Sequence, residues 1–153
     1  MEHLLEVKNL SVSIDGPAGE VQAVRDVSFS LKKGEVLAIV GESGCGKSVL
    51  CKSIMKLLPP SAKIKEGSIC VNGQDITCYR EKEMQKLRGR VFSMIFQDPM
   101  TSLNPTIKIG KQIGEAVVIH NKNYTKEQVN KKVLELMELV GICLLYTSDA
   151  ADE

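Results

Sequence analysis

The chain has 153 residues, 43% hydrophobic and 25% charged, enough for one domain with a real core. Its formal charge of +1, the absence of Trp, and only three Tyr and three Phe argue against a nucleic-acid-binding or anionic-lipid-binding surface. No apolar run approaches the roughly 20 residues of a spanning helix. The N-terminus lacks a basic stretch followed by an apolar one, which speaks against secretion. The five cysteines, Cys45, Cys51, Cys70, Cys78 and Cys143, never form a C-x-x-C pair, which suits reduced thiols rather than disulfides or a zinc site.

In chain order, Leu4 to Ile14 and Val21 to Leu31 contain alternating apolar and polar stretches, with Asp15 to Gly19 as a turn between them. This predicts an antiparallel hairpin. Lys32-Lys33-Gly34-Glu35 is a second turn. It leads to Val36-Leu37-Ala38-Ile39-Val40, a short apolar run with the character of a buried parallel strand. Val49 to Leu58 is mostly apolar and helix-compatible, and Pro59-Pro60 stops it.

Between strand and helix lies Gly41-Glu42-Ser43-Gly44-Cys45-Gly46-Lys47-Ser48, a complete G-x-x-x-x-G-K-S/T loop. Strand, glycine loop and helix in that order aim backbone N–H groups and a helix N-terminus at one anion. Glycines at positions 41, 44 and 46 leave the backbone free to wrap phosphate oxygens as a nest. Lys47 supplies a mobile positive charge for β- and γ-phosphates, and Ser48 a hydroxyl ligand for Mg²⁺. Residues 41 to 49, through Val49, are the expected nucleotide-binding set. Glu42 and Cys45 fill variable positions and carry no catalytic role.

Ile64 to Val71 reads as another strand, closed by Asn72-Gly73, a strong turn signal. Arg80 to Leu87 reads as a charged, exposed helix, and Val91 to Phe96 as a second buried-type strand ending at Gln97-Asp98-Pro99. From Ile107 the pattern turns helical, with Ile109, Ile113, Ala116 and Val117 on one face. Thr125 and Gln128 have the spacing of a capping box. The helix that follows is expected to bury Val129, Val133, Leu136, Met137 and Val140 and to stop at Gly141.

With Phe96 to Pro105 (Phe-Gln-Asp-Pro-Met-Thr-Ser-Leu-Asn-Pro) added to the phosphate-binding loop, residues Leu4 to Ile142 resemble the ATP-binding subunits of ABC importers of the oligopeptide, dipeptide and nickel group. Val24 to Phe29 and Gly34-Glu35 resemble that family's N-terminal sheet. The resemblance implies an α/β fold, a P-loop NTPase core with an N-terminal antiparallel β layer and the start of a helical subdomain. It implies ATP and Mg²⁺ as cofactors and makes Gln97 the Q-loop glutamine, which positions metal and water beside Lys47 and Ser48. A neutral amide suits that task, since it can coordinate a metal without adding charge. The implied partners are transmembrane permease subunits, a second ATPase subunit and, indirectly, an extracytoplasmic solute-binding protein. The implied location is peripheral, on the cytoplasmic face of the membrane. The implied function is coupling ATP hydrolysis to import of peptides or nickel. Two other functions fit the residues: a non-catalytic nucleotide-binding module, and a soluble ABC-type ATPase outside transport.

The sequence departs from the family in three ways. Residues 1–28 hold no aromatic to stack on adenine. The position that does so in many relatives falls near Ala18, so either aliphatic groups such as Val21 or Val24 pack on the base or the adenine is held loosely. No L-S-G-G-Q-like signature, Asp-Glu-terminated apolar strand or switch histidine occurs, the histidines being His3 and His120. This chain alone is therefore expected to hold a nucleotide without turning it over. The last eleven residues, Cys143 to Glu153, read as a translated transposon adapter. The expected division is residues 1–142 as the N-terminal part of an ATPase domain and 143–153 as a non-native tail.

Overall fold

The computed structural model describes residues 3–17, 19–96 and 102–141. They fall into two compact units that divide after Phe92. The first unit is built on a four-stranded antiparallel sheet containing β1 (His3–Gly16), β2 (Gly19–Lys32), β3 (Ala62–Val71) and β4 (Gln74–Asp75), in the order β2-β1-β3-β4. The expected hairpin forms, with pairs from Leu5↔Leu31 to Gly16↔Gly19. β1 pairs on its other edge with β3, as in Val7↔Ile69 and Val12↔Ile64.

The alternation in β1 and β2 is interrupted because the sheet is bulged across three strands. Between Val7↔Phe29 and Leu10↔Val27, two β1 residues oppose one of β2; between Leu10↔Val27 and Val12↔Val24, two β2 residues oppose one of β1. On the other edge, Gly67 alone faces Asn9 and Leu10. Asn9, Asp26 and Gly67 all take positive φ, at 48°, 48° and 93°, as bulge residues commonly do. The bulges let Val7, Leu10 and Val12 all enter the core. There they join Val24, Ile69 and Val71, with Leu50, Ile76 and Met84 covering them.

At the Asn72-Gly73 turn both residues have positive φ, 50° and 76°, as a type I′ hairpin requires. The short helix α2 (Glu81–Leu87) is charged and mostly exposed as expected, yet it buries Met84 completely. Arg88, just past its end, donates from Nε to the Met55 carbonyl and from Nη2 to the Lys56 carbonyl. It thereby satisfies carbonyls at the end of α1 (Lys47–Ile54).

Three expectations about helix and strand bounds need correction. The helix after the glycine loop begins at Lys47 and ends at Ile54, where Lys56 turns left-handed at φ 52°, so it does not reach Leu58. Val36 to Val40 forms no strand: Val36 is 97% and Val40 91% exposed. Nor does Val91 to Phe96, where a single parallel bridge joins Phe92 to Arg88 and Ile95 is 98% exposed. A buried parallel strand needs a paired neighbour, and the described residues offer these two runs none. The antiparallel layer of the expected α/β fold is therefore present, without the parallel strands at its centre.

The second unit contains α3 (Ile109–His120) and α4 (Lys126–Leu139). The helices meet where Gly110 and Gly114 face the methyl groups of Val129 and Val133, and Val117, Val133 and Met137 form the buried centre. Ile113, Val129 and Leu136 are half-buried around it as expected. Ala116 is exposed instead, and Val140 is 66% exposed because it lies past the last helical turn. Thr125 caps α4: its Oγ1 accepts from the Gln128 N–H, and the Gln128 Oε1 accepts from the Thr125 N–H. Gly141, at φ 74°, ends the helix region as expected.

Candidate functional site

The site is assembled from the glycine loop and the β1–β2 hairpin, both in the first unit. Gly44 and Gly46 sit at φ 81° and 93°, a conformation that suits glycine and turns successive N–H groups to one side. α1 then begins at Lys47, and its first intrahelical bond runs from the Leu50 N–H to the Gly46 carbonyl at 2.8 Å. The N–H groups of Lys47, Ser48 and Val49 come before that bond and remain available to an anion, where the helix dipole favours negative charge.

Lys47 is folded back over the loop. Its Nζ donates to the carbonyls of Gly41 (2.7 Å) and Glu42 (2.6 Å) and lies 3.4 Å from the Cys45 Sγ. All three partners belong to the loop itself, and among the described residues no carboxylate pairs with the ammonium. The Ser48 side chain is exposed, one residue into the helix. Cys45 is a free thiol, and Glu42 takes part through its main chain. Ser43 is exposed in the loop.

The loop faces a cleft of about 750 Å³. Its loop wall is Gly44 to Leu50, and its hairpin wall includes Ile14, Val21, Val24 and Arg25. The loop is packed directly on β2: a Cβ on Gly46 would lie 2.2 Å from the Ala23 carbonyl oxygen. Among the described residues, the lining has two cations, Lys47 and Arg25, and no Asp or Glu. Such a cleft attracts anions and offers an aliphatic surface nearby. Ile14, Arg25 and the Ala23 main chain were not singled out by sequence. The signal that points to Arg25 is the bulge at Asp26, legible only once the strands are paired.

Gln97 lies outside the described residues, as do Asp98 to Thr101 and Ala18, the position nearest the expected adenine platform. The described residues contain no cluster of three or more His, Cys, Asp or Glu suited to a metal. Mg²⁺ does not require one: it keeps most of its water and binds through one or two protein oxygens plus phosphates. The exposed Ser48 hydroxyl in the first turn of α1 fits that sparse demand.

A glycine nest leading into a helix, packed on an antiparallel hairpin layer, is the arrangement of a P-loop with an added β layer. The family model described as ABC transporter matches residues 24–151, and the chain belongs to that family. It is 57% identical over 140 residues to the oligopeptide transport ATP-binding protein OppD of Bacillus subtilis (strain 168), covering 91% of this chain and 39% of that one. It is 54% identical over 141 residues to the dipeptide transport ATP-binding protein DppD of Lactococcus lactis subsp. cremoris (strain MG1363), covering 92% and 40%. The chain thus spans about two-fifths of the length of these relatives. Among solved structures, the dimeric ATP-binding cassette MJ0796 in a post-hydrolysis state with ADP and Pi matches at a TM-score of 0.76 and 20% identity, covering 94% of this chain and 60% of that one. The cbiO1 protein of Clostridium perfringens, part of the ABC transporter complex cbiONQ, matches at 0.69 and 26%, covering 97% and 54%.

Proposed function

We propose that this chain carries the phosphate-binding part of an ATP-binding subunit of a peptide importer. The observation that carries the reading is the cleft: free N–H groups at residues 47–49, Lys47 poised over a glycine nest, and an aliphatic wall, all on one face. The loop amides would cradle the β-phosphate, and Lys47 would exchange the Gly41 and Glu42 carbonyls for β- and γ-phosphate oxygens. That exchange costs little, since the carbonyls it leaves lie at an exposed surface. Ile14 and Val21 would pack on the base in place of an aromatic ring, with the buried Val24 behind them. Ser48 would hold Mg²⁺, which when bound neutralises phosphate charge, and Gln97 would be its second protein ligand.

Peptide transport is supported by the names of the relatives at 54–57% identity, together with the Asp98 to Pro105 stretch. On this reading the partners are permease subunits, a second ATPase subunit and, through them, a solute-binding protein, with the chain peripheral on the cytoplasmic face. In keeping with this, no helix of the described residues is long and apolar enough to cross a membrane. Residues 1–142 form part of the ATPase domain and 143–153 are a non-native tail. Turnover belongs to the assembled ATPase, whose signature, acidic strand end and switch histidine this chain lacks; alone it binds nucleotide. Titration with a fluorescent ATP analogue tests the reading. Saturable binding displaced by ATP, with no phosphate release, is expected, and no displacement by ATP would refute it.

A further inference from the structure

The hairpin wall of the cleft carries a cation that the glycine-loop motif does not call for. Arg25 lies in the β2 bulge, where Arg25 and Asp26 together oppose Ser11. Bulges re-aim side chains and recur beside functional sites. This one is pinned by groups other than Arg25. The Asn9 Nδ2 donates to the Asp26 Oδ1 at 2.8 Å, and the Asp26 N–H donates to the Ser11 Oγ at 3.1 Å. The neighbouring carboxylate is therefore engaged by Asn9 rather than by the arginine beside it.

Arg25 itself makes no hydrogen bond or ion pair with any described residue. It lines a smaller hollow with Asp26, Lys65 and Glu66, and neither carboxylate forms an ion pair with it. It also lines the nucleotide cleft, on the strand whose Ala23 carbonyl abuts Gly46. A guanidinium without an ion pair, lining a cleft whose described lining holds no Asp or Glu beside an anion nest, suits an anionic partner. Its planar fork suits phosphate oxygens bidentately.

We infer that Arg25 is a second phosphate-binding cation of this cleft, gripping the nucleotide's polyphosphate from the hairpin side while Lys47 grips it from the loop side. The inference rests on the nucleotide reading above and adds to it a residue outside the loop motif. It makes the bulge a positioning device for ligand binding as well as a packing feature.

The test uses the full chain and a fluorescent ATP analogue displaced by ATP or by inorganic tripolyphosphate, in wild type, Arg25→Ala, Arg25→Lys and Lys47→Ala. Arg25→Ala is expected to weaken ATP and tripolyphosphate by the same factor, about tenfold, as for loss of one charged hydrogen bond. Arg25→Lys should recover part of that loss. An unchanged melting temperature in Arg25→Ala, an exposed position, shows that the fold is intact. Unchanged ATP affinity in Arg25→Ala would overturn the inference. So would weakened ATP with unchanged tripolyphosphate, which would place the arginine at the base or in the wall. If wild type fails to bind, or Lys47→Ala binds normally, the nucleotide reading itself falls and takes the inference with it.

Discussion

The α-carbon of Gly46 faces the carbonyl of Ala23 so closely that a Cβ there would stand 2.2 Å from the oxygen. The last loop glycine therefore does two jobs. It supplies φ 93° for the nest, and it lets the loop seat directly on β2.

Gly46→Ala is predicted to fail on both counts. A side chain at positive φ costs on the order of 1–3 kcal/mol, and the clash with main chain adds to it. Nucleotide affinity should fall at least tenfold, with a lower melting temperature. Wild-type affinity in this variant would mean that the loop does not pack on the hairpin as described.

The three-strand bulge makes a second prediction. A Cβ on Gly67 would lie 2.4 Å from the Lys8 carbonyl oxygen and 2.6 Å from that of Asn9, so Gly67→Ala should destabilise the first unit by about 2 kcal/mol or more. Asn9→Ala removes the hydrogen bond to Asp26 and should cost less, about 1 kcal/mol. Chemical denaturation of the two variants checks the ranking; equal, negligible costs would contradict it.

Acid should weaken the fold through carboxylates held below their ordinary range. The Arg88 guanidinium, 2.6 Å away, lowers the Glu81 carboxyl, and hydrogen bonds from Thr77 lower the Asp75 carboxyl. A group depressed in the folded state contributes stability above its unfolded value, near pH 4, and loses it as pH falls through the folded value. Melting temperature should hold from pH 7 to about 5 and fall at more acid pH, and Glu81→Gln should blunt that fall. A melting temperature that rises on acidification would contradict the assignment.

Val36, Val40 and Ile95 are more than 90% exposed, and strand-forming apolar runs left unpaired invite association. Sedimentation velocity is expected to show concentration-dependent self-association of the chain. Replacing Val36 and Val40 together by Asp should reduce it. A monodisperse wild-type monomer at high concentration would contradict this.

Where local chemistry decides structure, the sequence was readable. The Thr125–Gln128 capping box, the Asn72-Gly73 hairpin turn and the stop at Gly141 follow from side chains bonding their own backbone or from residues that tolerate positive φ. The glycine loop was readable for the same reason, since its spacing dictates its conformation. The central strands misled because an apolar run states only that burial is favourable; it cannot supply the neighbour to pair with. Arg25 was hidden because its role depends on a bulge register, set by Asn9, Ser11 and Asp26 acting across two strands. The close seating of α3 on α4 through Gly110 and Gly114 was masked likewise, because glycine gives no signal to a pattern of apolar residues.

The central claim is that Lys47, held by the Gly41 and Glu42 carbonyls in the free protein, transfers its ammonium to nucleotide phosphate. Equilibrium titration of wild type and Lys47→Ala with a fluorescent ATP analogue tests it most directly. Saturable binding by wild type and a loss of about a hundredfold in Lys47→Ala, as for removal of a charged partner from an anion site, is the predicted result. Equal affinities, or no binding by a folded wild type, would contradict the account.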